Sequence, residues 1–350
     1  MFPTRSYLRT ILTGGATMLA VTGAFAQKEI KLVSNEKAHK VDVLVDGKPF
    51  TSYFYPGEDV LKKPVLYPVV SPKGHLVTRG WPLDPRPGER VDHPHHVGIW
   101  FNYEDVNGYD YWNNSNTPPN AKAKYGTIRH TGIKTKKDGK RAELTVTADW
   151  VEDNGKGRKV LEEKTTYFFT ATDKQRIIDR YTLLKATEDV HFGDVKDGMF
   201  AIRVARQLEL PSTKAEVYTD ANGVTTSVPK LDNTGVTGNY RSSEGIEGAK
   251  VWSTRGRWMN LTGKIDDETV SVAMIDHPKN VSYPTYWHAR DYGLFALNPL
   301  GEKVFTNGKK ELNFKLKKGE SVLFRYRVVI SSGGTTDAEL NKLADEFAKK

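Results

Sequence analysis

The chain contains no cysteine in 350 residues. That excludes disulfides, thiol nucleophiles, thiolate metal sites and cysteine-held iron–sulfur clusters. It does not exclude an oxidising compartment, because a domain of this length can bury enough surface to dispense with disulfides. A long hydrophobic run is missing too. The most apolar stretch, about Ile11 to Ala20, is short and interrupted by Thr and Gly, so it does not read as a membrane span. There is no glycine-rich nucleotide loop, no GxSxG elbow and no HExxH helix. Acidic residues are absent from the start of the chain, the first being Glu29.

The first segment instead reads as an export signal over residues 1–26. Arg5 and Arg9 give a basic start, an apolar small-residue stretch follows, and Ala24-Phe25-Ala26 supplies a small-x-small cleavage pattern. A periplasmic or secreted location follows, with no membrane insertion after cleavage. The formal net charge is +9. The lysines are dispersed, and their densest run, Lys134 to Lys140, carries an Asp138-Gly139 turn signal. It reads as a solvated hairpin rather than a nucleic-acid groove, so no nucleic-acid partner is expected. A basic surface leaves an acidic ligand, such as a uronate or a sulfated glycan, open.

Period-two alternation dominates residues 27–350. In Arg141 to Trp150, Ala142, Leu144, Val146, Ala148 and Trp150 share one face, against Glu143, Thr145, Thr147 and Asp149. Lys164 to Thr170, Arg176 to Leu184, Met199 to Leu208 and Ser321 to Ile330 also read as strands. Turn signals separate them at Asp138-Gly139, Asn154-Gly155, Asn222-Gly223 and Asn307-Gly308. Many strands with few helical patterns between them predict a single all-β domain, a large β-sandwich. One helix is expected, at the C-terminus. There Thr336 to Glu339 fit a capping box, and Leu340, Leu343 and Phe347 follow at helical spacing.

Three of the nine histidines, His93, His95 and His96, fall within four positions. Histidine binds metals and moves protons near neutral pH, so the site is expected here. In an extended chain His93 and His95 would share a side and His96 would face away, with Pro94 holding His93 extended. Two histidines on one side can ligate a divalent metal ion if a third ligand comes from elsewhere, with His288, His277, Glu89 or Asp92 as candidates. The proline-rich segment before them stiffens a loop around Arg79, Asp84 and Glu89, either as a crossover or for a ligand.

Two further groups join the candidates. Asp194, Lys196 and Asp197 lie in a turn ahead of Arg203, which is either solvated or paired within a site. Asp276, His277, His288, Arg290 and Asp291 are interleaved with Tyr283, Tyr286, Trp287 and Tyr292. Rings beside hydrogen-bonding groups suit a pyranose, whose C–H faces pack on rings while its hydroxyls require partners. Trp100, Tyr109, Trp112 and Trp258 can add to that surface.

Several segments in order, LDPRPGERVDHPHHVGIWF, DVNGYDYWN, FGDVKDGMFAIRVA, RGRWMNLTG and DHPKNVSYPTYWHARDYGLFALNPLG, resemble the PmoA-like family of exported bacterial proteins. The family's activity is not established, and its members tend to occur in bacteria that degrade complex carbohydrates, which implies a sugar ligand. The histidine segment is also similar to the His-rich motif of aldose epimerases, which implies a galactose-mutarotase-like supersandwich.

Together these readings give an exported carbohydrate-active enzyme, a hydrolase or lyase. His93, His95, His96, His288 and Asp194 are its candidate catalytic residues, with Asp276 or Asp291 orienting a histidine. Arg79, Trp100, Trp112, Lys196, Arg203, Trp258, Asp276, His277, Trp287 and Arg290 are candidate substrate contacts. A glycan-binding protein without catalysis, and a mononuclear metalloenzyme built on His93 and His95, are the alternatives.

Overall fold

In the computed structural model, Met1, residues 26–220, Asn222, residues 224–229 and residues 232–350 are described. Residues 2–25 of the expected export signal, and Gly223 of one expected turn, lie outside them.

Two eight-stranded sheets account for the architecture. The first runs, in spatial order, Ile30–Asn35, Lys40–Val45, Lys48–Phe54, Val65–Leu66, Ile99–Tyr103, Gly198–Arg203, Leu294–Asn298 and Tyr286–Ala289. The second runs Asn239–Ser242, Trp258–Ile265, Glu268–Asp276, Ser321–Ser332, Gln175–Ala186, Lys159–Ala171, Arg141–Val151 and Thr127–Lys137. Neighbouring strands pair antiparallel throughout both sheets.

One face of each sheet is apolar because side chains alternate along a strand, and these two faces pack together into the main core. Aromatic rings cross the interface in pairs: Phe101 with Phe324 at 5.8 Å, Phe200 with Tyr326 at 5.3 Å, and Phe50 with Phe169 at 6.1 Å. The far face of the second sheet carries Trp258, Ala273, Ile275 and Val329, and the C-terminal helix Asp337–Ala348 covers it with Leu340, Ala344 and Phe347. The helix begins as expected. Thr336 accepts from the Glu339 amide at 3.3 Å, and Glu339 accepts from the Thr336 amide at 2.8 Å. No helix among the described residues is long and apolar enough to cross a membrane.

The expected β-sandwich with a C-terminal helix is therefore the observed fold class, and the lysine-rich run does turn a hairpin. One strand is shorter than its pattern. Met199 to Leu208 reads as continuous, but pairing stops at Arg203, and residues 206–208 form a 3-10 turn. The Val204 and Ala205 amides leave the sheet and donate to the carbonyls of Gly293 and Val77.

Candidate active site

The far face of the first sheet is not apolar throughout. Trp100 lies opposite Ala201, Ala201 opposite Ala296, and Ala296 opposite His288. Their strand neighbours Ile99, Phe101, Phe200, Phe295, Leu297 and Trp287 belong to the main core. By alternation this row points the other way, and its apolar members join a second cluster with Trp112, Val97 and Leu61. Two alanines between a tryptophan and a histidine make a shallow floor.

The histidine loop lies over that floor. It is not extended: the His96 amide donates to the His93 carbonyl at 2.9 Å, closing a turn with Pro94 second, and His93 has φ +41°. A side chain at positive φ is strained, and Arg79 supplies the compensation. Its guanidinium donates to the carbonyls of Arg90, Asp92, His93 and His96 at 2.9–3.2 Å and also to the Asp92 carboxylate. Gly98 closes the loop onto the sheet at φ +59°, where a Cβ would stand 2.1 Å from the Leu66 carbonyl oxygen.

The turn reverses the expected facing of the rings. His93 and His96 stack at 4.8 Å, His93 stacks on Tyr292 at 5.1 Å, and His96 stacks on Trp100 at 5.1 Å. Tyr292, His93, His96 and Trp100 thus form one pile from the half-exposed surface to the floor. His95 meets His96 edge-on at 4.4 Å. Arg203 ties the pile together, donating to His96 Nδ1 at 3.2 Å and to Asp92 at 2.7 Å, with its guanidinium 4.9 Å from the Tyr292 ring. Of the two readings left open for Arg203, the paired one holds.

Burial sets the protonation states. His95 and His96 are 3% and 1% exposed, and desolvation, followed by the surrounding cations and other histidines, holds both well below the usual imidazole range. Both are neutral at pH 7. Neither ring nitrogen of His95 has a hydrogen-bond partner among the described residues, nor do His96 Nε2 and Trp100 Nε1. Burying such groups without partners is costly; a ligand that enters can supply them. At the other end of the row, His288 Nδ1 lies 3.4 Å from Asp197 Oδ1, and Lys196 pairs with the same carboxylate at 2.5 Å. Burial lowers His288 to about 4 although Asp197 pulls the other way. The Glu104 amide donates to the Asp197 carbonyl at 2.9 Å. Burial and the Asp197 charge raise the Glu104 carboxyl to about 7. Asp92 moves in the opposite sense. Burial would raise it, but Arg203, the bond from His93 and Arg79 hold it well below the carboxylate range.

His93, His95, His96, Arg79, Arg203, Trp100 and Trp112 therefore come together, with His288, Lys196 and Arg290 along the same face. Five expected members lie elsewhere. Asp194 accepts the amides of Lys303, Leu312 and Asn313 and ties down a distant loop. Asp276 accepts from the His277 and Thr285 amides and from Asn280, organising its own turn. His277 meets Phe347 of the terminal helix edge-on, and Trp258 donates to Asn341 of that helix. Trp287 faces the main core. Asp197 and Asp92, rather than Asp276 or Asp291, sit beside histidines. Both terminal nitrogens of Arg79 are spent on the loop's carbonyls and on Asp92, so it positions the loop rather than contacting a ligand. The proline-rich segment is likewise closed on itself, with Glu89 accepting from the Gly80 amide at 2.8 Å and pairing with Arg86 at 2.7 Å.

Lys63 and Glu104 escaped the sequence reading. Lys63 donates to the His95 carbonyl at 2.7 Å and lies 5.7 Å from the Trp100 ring; burial lowers it to about 7. A lysine amid Leu61, Pro64, Val65 and Leu66 was an available signal.

For a metal, the described residues bring no three His, Asp or Glu side chains into a group able to hold one. His277 is remote on the terminal helix, Glu89 is engaged by Arg86, and Asp92 by Arg79, Arg203 and His93.

Fold and site together define the class: a two-sheet antiparallel β-sandwich with a histidine- and aromatic-lined site on the outer face of one sheet. The chain belongs to a family of unknown function, DUF6807, whose model matches residues 40–345. That match does not bear on the PmoA-like resemblance. No curated protein matches the chain. Among solved structures, it is similar to a galactose 1-epimerase from Lactobacillus acidophilus NCFM at 10% identity and TM-score 0.36, covering 89% of this chain and 100% of that one. A galactose mutarotase-like protein from Clostridium acetobutylicum gives 9% identity and TM-score 0.33, covering 88% of this chain and 99% of that one. A GH36 alpha-galactosidase from Geobacillus stearothermophilus gives 11% identity and TM-score 0.35, covering 88% of this chain but only 40% of the galactosidase.

Proposed function

We propose that the chain is an exported carbohydrate-active enzyme that cleaves a glycan by proton transfer, as a hydrolase or a lyase. The observation that carries this reading is the set of buried nitrogens on His95, His96 and Trp100 without partners, in a site otherwise walled by rings. A pyranose offers what such a site lacks, hydroxyls for the nitrogens and C–H faces for the rings.

The acid–base groups are at hand. Glu104, held near 7, can carry a proton to a departing glycosidic oxygen. A neutral imidazole, His95 or the His288–Asp197 pair, can take one. In hydrolysis that proton comes from the attacking water; in elimination it comes from the sugar carbon beside a carboxyl group. Lys63 holds the histidine loop at the His95 carbonyl and Arg203 at the His96 ring.

The test is a panel of neutral and acidic oligosaccharides incubated with the purified protein, with products identified by mass spectrometry. Cleavage by wild type, lost in both His95→Ala and His96→Ala, supports the reading. Full activity in both variants contradicts it, and binding without any product turns it into a glycan-binding protein. Export is checked separately: produced with its own signal, the protein should be recovered from the periplasm or medium beginning at Gln27.

A further inference from the structure

Most cations of the site already have counter-ions. Arg79 and Arg203 share Asp92, and Lys196 is held by Asp197. Arg290 is different. Its guanidinium makes no hydrogen bond or ion pair with any described residue. It lies 5.8 Å from the Tyr292 ring and 5.9 Å from the Trp252 ring. The adjacent carboxylate is not available to it, because Asp291 pairs with Lys214 at 3.1 Å.

The surroundings of Arg290 favour an anion. It lines a cleft of about 250 Å³ with Lys214, Ala249, Trp252, Ala289 and Asp291. The indole Nε1 of Trp252 is buried without a partner, so it is a further unspent donor beside the guanidinium. The Tyr292 ring that Arg290 approaches is the one stacked on His93, which joins this cleft to the histidine pile. A guanidinium flanked by two rings is pre-oriented, and its planar fork matches a carboxylate with two parallel hydrogen bonds.

We infer that Arg290 is the carboxylate-binding residue of the site, and that the glycan it takes contains uronic acid. This rests on the proposed function and names its substrate class. The carboxylate of one sugar unit would bridge Arg290 and the Trp252 indole while a neighbouring unit reaches the histidine row past Tyr292.

The experiment compares oligogalacturonate and oligoglucuronate with their methyl esters, and with neutral and sulfated galacto-oligosaccharides, by calorimetry and product analysis. Wild type, Arg290→Gln and Arg290→Lys are measured, with thermal melts to verify folding. The free acids should bind at least about tenfold more tightly than the esters, corresponding to one charge-assisted contact. Arg290→Gln should erase that difference and Arg290→Lys restore part of it. Equal binding of acids and esters, or a preference that survives Arg290→Gln, overturns the inference. Stronger binding of sulfated sugars than of uronates also overturns it. Turnover of neutral glycans alone removes the substrate class but leaves the proposed function standing. No binding or turnover with any sugar removes both. If Arg290→Gln fails to fold, the acid-against-ester contrast in wild type decides.

Discussion

The Nδ1 atom of His96 lies 3.2 Å from Nη1 of Arg203, and this contact fixes the tautomer. A guanidinium only donates, so Nδ1 must accept, and the ring proton resides on Nε2. That Nε2–H is buried and has no partner among the described residues. Histidine 96 is thus presented as a neutral donor, and Arg203 is the reason.

Replacing either buried ring should cost activity, together with some stability from the cavity it leaves. On whichever glycan the panel identifies, His95→Ala is expected to lower turnover by roughly 10²–10⁴-fold, the usual contribution of a positioned acid–base group, and His96→Ala by about 10²–10³-fold, as for loss of a buried donor. Steady-state rates with matched circular dichroism spectra check this.

Glutamate 104 sets the alkaline limb. Its carboxyl is raised to about 7, so it is protonated below that pH and loses the proton above it. Activity that needs it as an acid should fall as pH rises through about 7, and Glu104→Gln should leave a low rate without that limb. A pH–rate profile of both proteins decides; a flat wild-type profile through neutrality contradicts the role.

Histidine 288 contributes a stability term of the opposite kind. Its pKa falls from 6.5 to about 4 on burial, so the unfolded chain binds the extra proton first. The contribution is complete above about 6.5 and is lost as pH falls from there towards 4, amounting to about 3 kcal/mol at most. His288→Gln should therefore be less disadvantaged relative to wild type at pH 4.5 than at pH 7, as read from denaturant midpoints at both pH values.

Arginine 79 should behave as a structural hub. Removing one partner of a buried, hydrogen-bonded ion pair costs about 3–5 kcal/mol, so Arg79→Ala should lower stability by that order and abolish activity with it. Arg290→Gln, at a half-exposed position with no bonds to lose, should leave the melting temperature nearly unchanged. Chemical denaturation of the two variants separates positioning from ligand contact.

Four long strands of the second sheet, the terminal helix and the histidine cluster were legible because their signals are local: alternation, a capping box, and three rings within four residues. What was hidden depended on register between distant strands. Nothing near Trp100 says that Ala201, Ala296 and His288 will lie in line with it. Nor does any local pattern put Asp197 beside His288. One error was avoidable. Trp287 and His288 are adjacent on a strand, so they cannot face the same site, and the main core took the tryptophan. The turn at His93 was less accessible, because the carbonyls that bend it are gathered by Arg79 from fourteen residues away.

The most direct test of the central claim is a long-range ¹H–¹⁵N spectrum of the histidine rings, recorded with and without the glycan that the panel selects. The account predicts neutral His95 and His96 at pH 7, a proton on Nε2 of His96, and ring signals of both that shift on titration while that of His277, against the terminal helix, stays in place. A glycan that binds or is cleaved while the His95 and His96 signals remain unmoved would place the chemistry elsewhere on the molecule.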